Sequence, residues 1–223
     1  LWDRVVSGTD LTSAVPKGRW GIEPADVLCD PGDDSTDRTW SDRGGYVSGF
    51  DDVFDATGFG LPAGEITGLD PVFQWTFHTA REALRDAGYA ENDATRFGAV
   101  FGNLSFPSAS MAAFAQEVHL PDGDFADGDF ADGDLVDARN RFMSGLPALM
   151  LERALGLGAG AMALDAACAS SLYAIKLACD RLHDGDADLM LAGAVNCADD
   201  LFIHQGFTAL LALIHISLPT SPL

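Results

Sequence analysis

The run Leu164-Asp165-Ala166-Ala167-Cys168-Ala169-Ser170-Ser171-Leu172 holds the side chain best placed by its neighbours to do covalent chemistry. Four apolar residues, Ala161-Met162-Ala163-Leu164, lead into Cys168, and a helical pattern begins just after it. That order reads as strand, tight turn and helix start, with a thiol at the turn. A helix N-terminus offers free N–H groups and a partial positive charge. Both favour thiolate over thiol, and the thiolate is the nucleophile. The small neighbours Ala166, Ala167 and Ala169 leave room for a substrate carbonyl to approach. The same residue also reads as a buried structural cysteine, a common setting for that residue type.

The elements that would position Cys168 follow from periodicity. Leu172, Ile175, Ala178, Cys179 and Leu182 recur at helical spacing and are expected to share one face. Gly185, inside His183-Asp184-Gly185-Asp186, is the expected stop. Residues 187–196 then read as a buried strand. Strand, helix, strand makes a βαβ unit with the usual right-handed crossover. Catalytic groups in such sheets sit at the carboxyl ends of strands, where Cys168 falls. Upstream, Pro71 is expected in the first turn of a helix over residues 72–87 that stops at Gly88. Residues 97–102 read as a buried strand and 108–118 as a helix. Residues 139–155 read as one long helix with Gly145 and Pro147 as kinks. Residues 1–46 are loop-rich, broken by Pro16, Gly18, Pro24, Pro31 and Gly32. Alternating strands and helices give an α/β layered fold.

Composition narrows the function classes. The chain has 223 residues, 48% of them hydrophobic, enough for one sizeable core. Its net charge of −21 argues against a nucleic-acid surface, which needs clustered Lys and Arg. It has no apolar run long enough to span a bilayer and no signal-peptide pattern. Cys29, Cys168, Cys179 and Cys197 show neither CxxC pairing nor a disulfide framework, which fits a reducing cytoplasm. Much of the acid lies in residues 26–37 and in the tandem Asp-Gly-Asp repeat of residues 122–134. Carboxylates at that density are candidate calcium ligands, but the spacing is not that of an EF-hand loop. A solvated, self-repelling insertion over about residues 121–137 is the expectation carried forward.

At this point the chain resembles the N-terminal half of a β-ketoacyl synthase, the condensing domain of fatty acid and polyketide synthases. Asp165-Ala166-Ala167-Cys168-Ala169-Ser170-Ser171-Leu172 resembles the family's nucleophile motif. Asp188-Leu189-Met190-Leu191-Ala192-Gly193-Ala194-Val195-Asn196 resembles the strand after it. Leu69-Asp70-Pro71 with Glu82-Ala83-Leu84-Arg85-Asp86-Ala87-Gly88-Tyr89 resembles an upstream helix, and Arg96-Phe97-Gly98-Ala99-Val100-Phe101-Gly102 the strand that follows. Asn140-Arg141 falls where the family has an Asn-Arg pair opening a helix. The matches occur in family order over residues 1–210. Ala166 and Ala169 replace the usual threonine and serine, and Gly102-Asn103-Leu104-Ser105-Phe106-Pro107 looks like the ketosynthase of polyunsaturated fatty acid synthases or of related iterative type I polyketide synthases.

The resemblance implies a thiolase-like layered α/β/α/β/α fold, usually homodimeric, of which only the N-terminal half is expected here. It implies that Cys168 takes an acyl group from a thioester. A malonyl-type extender then decarboxylates, and its carbanion attacks the acyl-cysteine. No cofactor would be bound directly, because substrates ride on the 4'-phosphopantetheine arm of an acyl carrier protein. Two histidines well downstream of the cysteine are implied for the decarboxylation step. None of His78, His119, His183, His204 and His215 lies in such a motif. Residues 211–223 have no family counterpart and read as an artefactual or disordered tail, and the chain as a whole reads as an internal fragment. Three other readings stand beside this one. They are another thiolase-fold acyltransferase, a partner subunit like a chain-length factor, and a truncated chain that is inactive and aggregates through its exposed apolar face. Chain-length factors of the family usually lack the cysteine.

Overall fold

The computed structural model describes residues 2–31, 33, 37–89, 93–104, 108, 137–141, 144–197 and 200–210. The expected helix at 108–118, apart from Ser108, the acidic repeat and the 211–223 tail lie outside them. The chain divides into two compact units, one of residues 1–53 with 199–223 and one of residues 54–198.

The larger unit holds α3 (Ala63–Thr67), α4 (Pro71–Asp86), β3 (Phe97–Asn103), α5 (Leu146–Leu155), β4 (Ala161–Leu164), α6 (Ser170–His183) and β5 (Leu189–Val195). The three strands form a parallel sheet of order β4-β3-β5, in register at Ala99 with Ala161 and at Phe97 with Leu189. β4 and β5 therefore flank β3, and the connection through α6 crosses over it. β3 is buried along its whole length, as a central parallel strand covered on both faces must be.

Alternation along β3 sorts the core into two layers. Phe97, Ala99 and Phe101 face one side and pack with Phe73 and Phe77 of α4 and Met150 and Leu151 of α5. Val100 faces the other side and packs with Ala174 and Ala178 of α6. α4 starts where Pro71 fixes the first turn and the Asp70 carboxylate accepts the Val72 N–H at 2.9 Å. Its residues Val72, Phe73, Thr76, Phe77, Ala80 and Leu84, spaced three and four apart, form the buried face.

Three expectations change. The predicted single helix over 139–155 is instead a short 3-10 turn at Ala138–Arg141 and the separate helix α5, with Ser144 and Gly145 in a turn between them. Pro147 lies in the first turn of α5, where its missing N–H is no loss, so it starts a helix and does not kink one. α6 buries Ser170, Ala174 and Ala178, so of the predicted stripe only Ala178 is buried; Leu172 and Ile175 are 69% and 50% exposed. Small residues on α6 let it lie close to β3, with Leu177 half-buried beside them and Leu172, Tyr173 and Ile175 exposed. β5 is only half-buried, alternating with exposed Ala192 and Ala194, because it is an edge strand of the described sheet.

The smaller unit contains α1 (Trp2–Val6), β1 (Ser13–Ala14), α2 (Pro24–Val27), β2 (Arg43–Gly44) and α7 (Asp200–Ala209). β1 and β2 pair antiparallel. α7 is tied to the chain before β2 by buried Thr208. Its hydroxyl donates to Thr39 Oγ1 at 3.2 Å and accepts from the Trp40 N–H at 3.4 Å.

Candidate active site

β4 ends at Leu164, and the chain turns through Asp165 and Ala166 into a 3-10 turn at Ala167–Ala169 before α6 begins at Ser170. Cys168 is the middle residue of that turn. The sequence placed it at a helix start, and the structure inserts the 3-10 turn between strand and α-helix. The thiol is free and exposed, so the buried structural reading fails.

The turn is held by its own polar groups. Asp165 Oδ1 accepts the Ala167 N–H at 2.9 Å, and the Ala169 N–H donates to the Ala166 carbonyl at 3.0 Å. The Ala166 N–H donates to Ser170 Oγ at 2.9 Å, and that hydroxyl donates to the Ala167 carbonyl at 2.8 Å. Ala167 has φ +48°, the one non-glycine residue with positive φ among those described. A left-handed backbone is disfavoured for any residue with a Cβ.

Cys168 opens onto a cavity of about 190 Å³. Its walls come from the carboxyl ends of β3 (Gly102, with Leu104 just beyond) and β5 (Ala194 and Val195, then Asn196), and from the turn and first residues of α6. This is where a parallel sheet binds its ligands. Gly102 is required there by space. A Cβ at that position would lie 2.5 Å from the Cβ of Ser170 and 2.9 Å from its carbonyl carbon. Apart from Cys168, the described lining residues carry no titratable group.

The sequence singled out Cys168 but not Gly102 or Ser170. The available signal was small: a glycine ending a buried strand and a serine opening a helix next to the nucleophile. None of the described histidines lines the cavity. His78 lies half-buried on α4 with its ring 6.3 Å from that of Phe54. His183 is exposed at the end of α6. His119 and His215 are outside the described residues.

His204 is on α7 of the smaller unit, its ring 5.4 Å from Trp20 and its Nε2 3.4 Å from the Tyr46 hydroxyl. Burial holds His204 below the usual histidine range, against the opposing pull of the Asp200 and Asp42 carboxylates. Burial also pushes Tyr46 up to about 12, with Asp200 and Asp42 adding to the rise. Among the described residues no cluster of three or more His, Cys, Asp or Glu is placed to hold a metal ion. No described helix is long and apolar enough to cross a membrane.

A free thiol at a turn after a parallel strand, beside a cavity walled by strand ends, is the setting in which the nucleophile motif was expected. The family model for the N-terminal domain of β-ketoacyl synthases matches residues 1–215. The chain belongs to that family. It is 31% identical over 215 residues to a PKS-NRPS hybrid synthetase from Aspergillus niger, covering 93% of this chain and 10% of the relative. It is 33% identical over 196 residues to a mycocerosic acid synthase-like polyketide synthase from Mycobacterium tuberculosis, covering 87% of this chain and 8% of the relative. The chain thus spans about a tenth of the length of these relatives.

Among solved structures, PfaC keto synthase-chain length factor superposes with a TM-score of 0.79 at 36% identity, over 95% of this chain and 24% of that one. An oxazolomycin ketosynthase domain from Streptomyces albus superposes at 0.68 and 22% identity, over 93% and 34%. The latter likeness shows the fold alone. The fold is therefore the thiolase-like ketosynthase fold, and the chain corresponds to its N-terminal domain.

Proposed function

We propose that Cys168 of this ketosynthase domain captures acyl groups from carrier-bound thioesters. The observation that carries this reading is the exposed thiol at the carboxyl end of β4, opening onto the cavity walled by β3 and β5. In the capture step the Cys168 sulfur bonds to the thioester carbonyl carbon. The carbonyl oxygen takes the negative charge, then the bond to the carrier sulfur breaks and the carrier thiol leaves with the proton. The main-chain N–H of Cys168, in the 3-10 turn ahead of α6, is the donor this reading assigns to the oxyanion. Dividing carbon–carbon bond formation into acyl capture and condensation replaces one hard step by two easier ones.

In the second step a malonyl-type extender loses carbon dioxide, and the resulting carbanion attacks the acyl-cysteine carbonyl. The carbon–sulfur bond then breaks, which restores the thiolate and leaves a β-ketoacyl chain on the carrier. The described lining of the cavity offers no acid or base for that decarboxylation. Acyl capture is the half-reaction these residues serve, and the isolated chain is expected to stop there. The partners this reading implies are an acyl carrier protein with its 4'-phosphopantetheine arm and a second ketosynthase copy in a homodimer. No cofactor held by the protein is required. Cys168 itself speaks against a partner subunit of the chain-length-factor type.

The test is intact-mass analysis after exposure to an acyl-pantetheine thioester. The wild-type chain gains one acyl group, removable by hydroxylamine, and Cys168→Ala gains none. Equal labelling of the two proteins would overturn the assignment.

A further inference from the structure

We infer that Ser170 is the positioning residue of the nucleophile, a clamp that holds the turn before Cys168 and thereby sets the direction of its thiol. The inference rests on the reading of Cys168 as the acyl acceptor.

Ser170 is the first residue of α6, one past the N-cap Ala169, so its hydroxyl is not in the position that caps the helix by reaching forward to free amides. Ser170 turns backward. Its Oγ accepts from the Ala166 N–H at 2.9 Å and donates to the Ala167 carbonyl at 2.8 Å. A hydroxyl has one proton to give and lone pairs to receive, so both of its roles are used on the turn it follows. The residue between those two bonds, Ala167, has φ +48°. Such a backbone persists only where its surroundings over-determine it. Asp165 fixes the Ala167 N–H, and Ser170 fixes the Ala167 carbonyl, so the peptide unit leading into Cys168 is set from that side by Ser170. Rotation of that unit would swing the Cα–Cβ bond of Cys168 relative to the cavity.

The clamp is itself anchored. Ser170 is 6% exposed, and its Cβ sits in the space left by Gly102 on β3. Glycine at 102, serine at 170 and the left-handed Ala167 form one chain of contacts from the central strand to the thiol. Cys179, exposed on the same helix and remote from the turn in sequence, supplies an internal reference.

The test uses the 223-residue chain in three forms: wild type, Ser170→Ala, and Gly102→Ala, which pushes on Ser170 while leaving its hydroxyl. Iodoacetamide alkylation is followed at each cysteine by mass spectrometry from pH 6 to pH 9.5, beside acyl capture from a pantetheine thioester. Both variants are expected to slow Cys168 alkylation about tenfold across that range. Both are expected to slow acyl capture about tenfold, with the Cys179 profile unmoved. A Cys168 profile unchanged in Ser170→Ala overturns the inference. So does an equal change at Cys179, which would mark general loosening. A wild-type Cys168 that is alkylated but never acylated overturns the acyl-transfer reading alone, and the alkylation profiles still decide the role of Ser170.

Discussion

Asn140, in the 3-10 turn ahead of α5, accepts the main-chain N–H of Asp70 through its Oδ1 at 2.8 Å, and both residues are buried. Asp70 in turn caps α4 through Val72 and accepts the Ser108 hydroxyl at 2.7 Å on its other oxygen. Asn140, the first residue of the Asn-Arg pair noticed in the sequence, thus fastens the start of α4 to the segment that leads into α5. Asn140→Ala leaves the Asp70 N–H buried without that partner. The expected loss is about 1–3 kcal/mol, read as a lower urea midpoint with an unchanged slope. An unchanged midpoint would mean that water replaces the amide at no cost.

Arg81 is a second buried polar tie, and it argues for a different substitution. Its guanidinium donates to the carbonyls of Thr57 at 2.8 Å and Asp55 at 2.7 Å, and lies 4.3 Å from the centre of the Phe59 ring. Lysine keeps the charge but lacks the planar fork that reaches two carbonyls and stacks on a ring. Arg81→Lys is expected to lower stability by about 1–3 kcal/mol and to speed hydrogen exchange across residues 55–59. Exchange as slow as in the wild type would show that charge alone suffices.

The strands and helices around Cys168 were legible because their signals are local. Residues 161–164 are an apolar run between Gly160 and Asp165, residues 189–195 one between Asp188 and Asn196, and α4 carries proline at its start and glycine past its end. What the sequence could not supply was contact across the sheet. Of the expected stripe Leu172, Ile175, Ala178, Cys179 and Leu182, only Ala178 packs on Val100, joined there by Ala174 and half-buried Leu177, because the close approach of α6 to β3 selects small residues at its centre. The pairing of Gly102 with Ser170, separated by 68 positions, depends on the same close approach. Pro147 misled for a local reason: proline both breaks a helix and begins one, and which it does depends on whether the turn before it is helical.

The exposed stripe on α6 has a consequence for handling the protein. Leu172, Tyr173, Ile175 and Leu182 lie 40–69% exposed on consecutive turns of one helix. Contiguous apolar surface of that kind drives association. The isolated chain is expected to elute as concentration-dependent oligomers, and the pair Leu172→Ser, Ile175→Ser to shift it toward monomer without moving the far-ultraviolet circular dichroism. A monomeric wild-type chain across the concentration range would contradict this.

Acid sensitivity should appear first in the smaller unit, through His204. Burial lowers its folded-state value below the ordinary 6.5. The groups facing it are the Tyr46 hydroxyl, the Trp20 ring, and the Asp42 and Asp200 carboxylates, with Asp200 also paired to Arg19. Because the unfolded chain takes up the proton more readily than the folded one, stability rises with pH through this window. The His204 contribution is complete above about pH 6.5 and is lost as pH falls toward and through the lowered folded value. Asp10, Asp55 and Asp137 are also lowered, but from an ordinary 3.8, so they stay ionised in both states over this range. Between pH 7.5 and 5.5, hydrogen exchange in α7 is expected to accelerate beyond the intrinsic pH effect while α4 keeps its protection. His204→Gln should abolish the α7 component, since glutamine has no proton to gain. An α7 response that survives in His204→Gln would place the titrating group elsewhere.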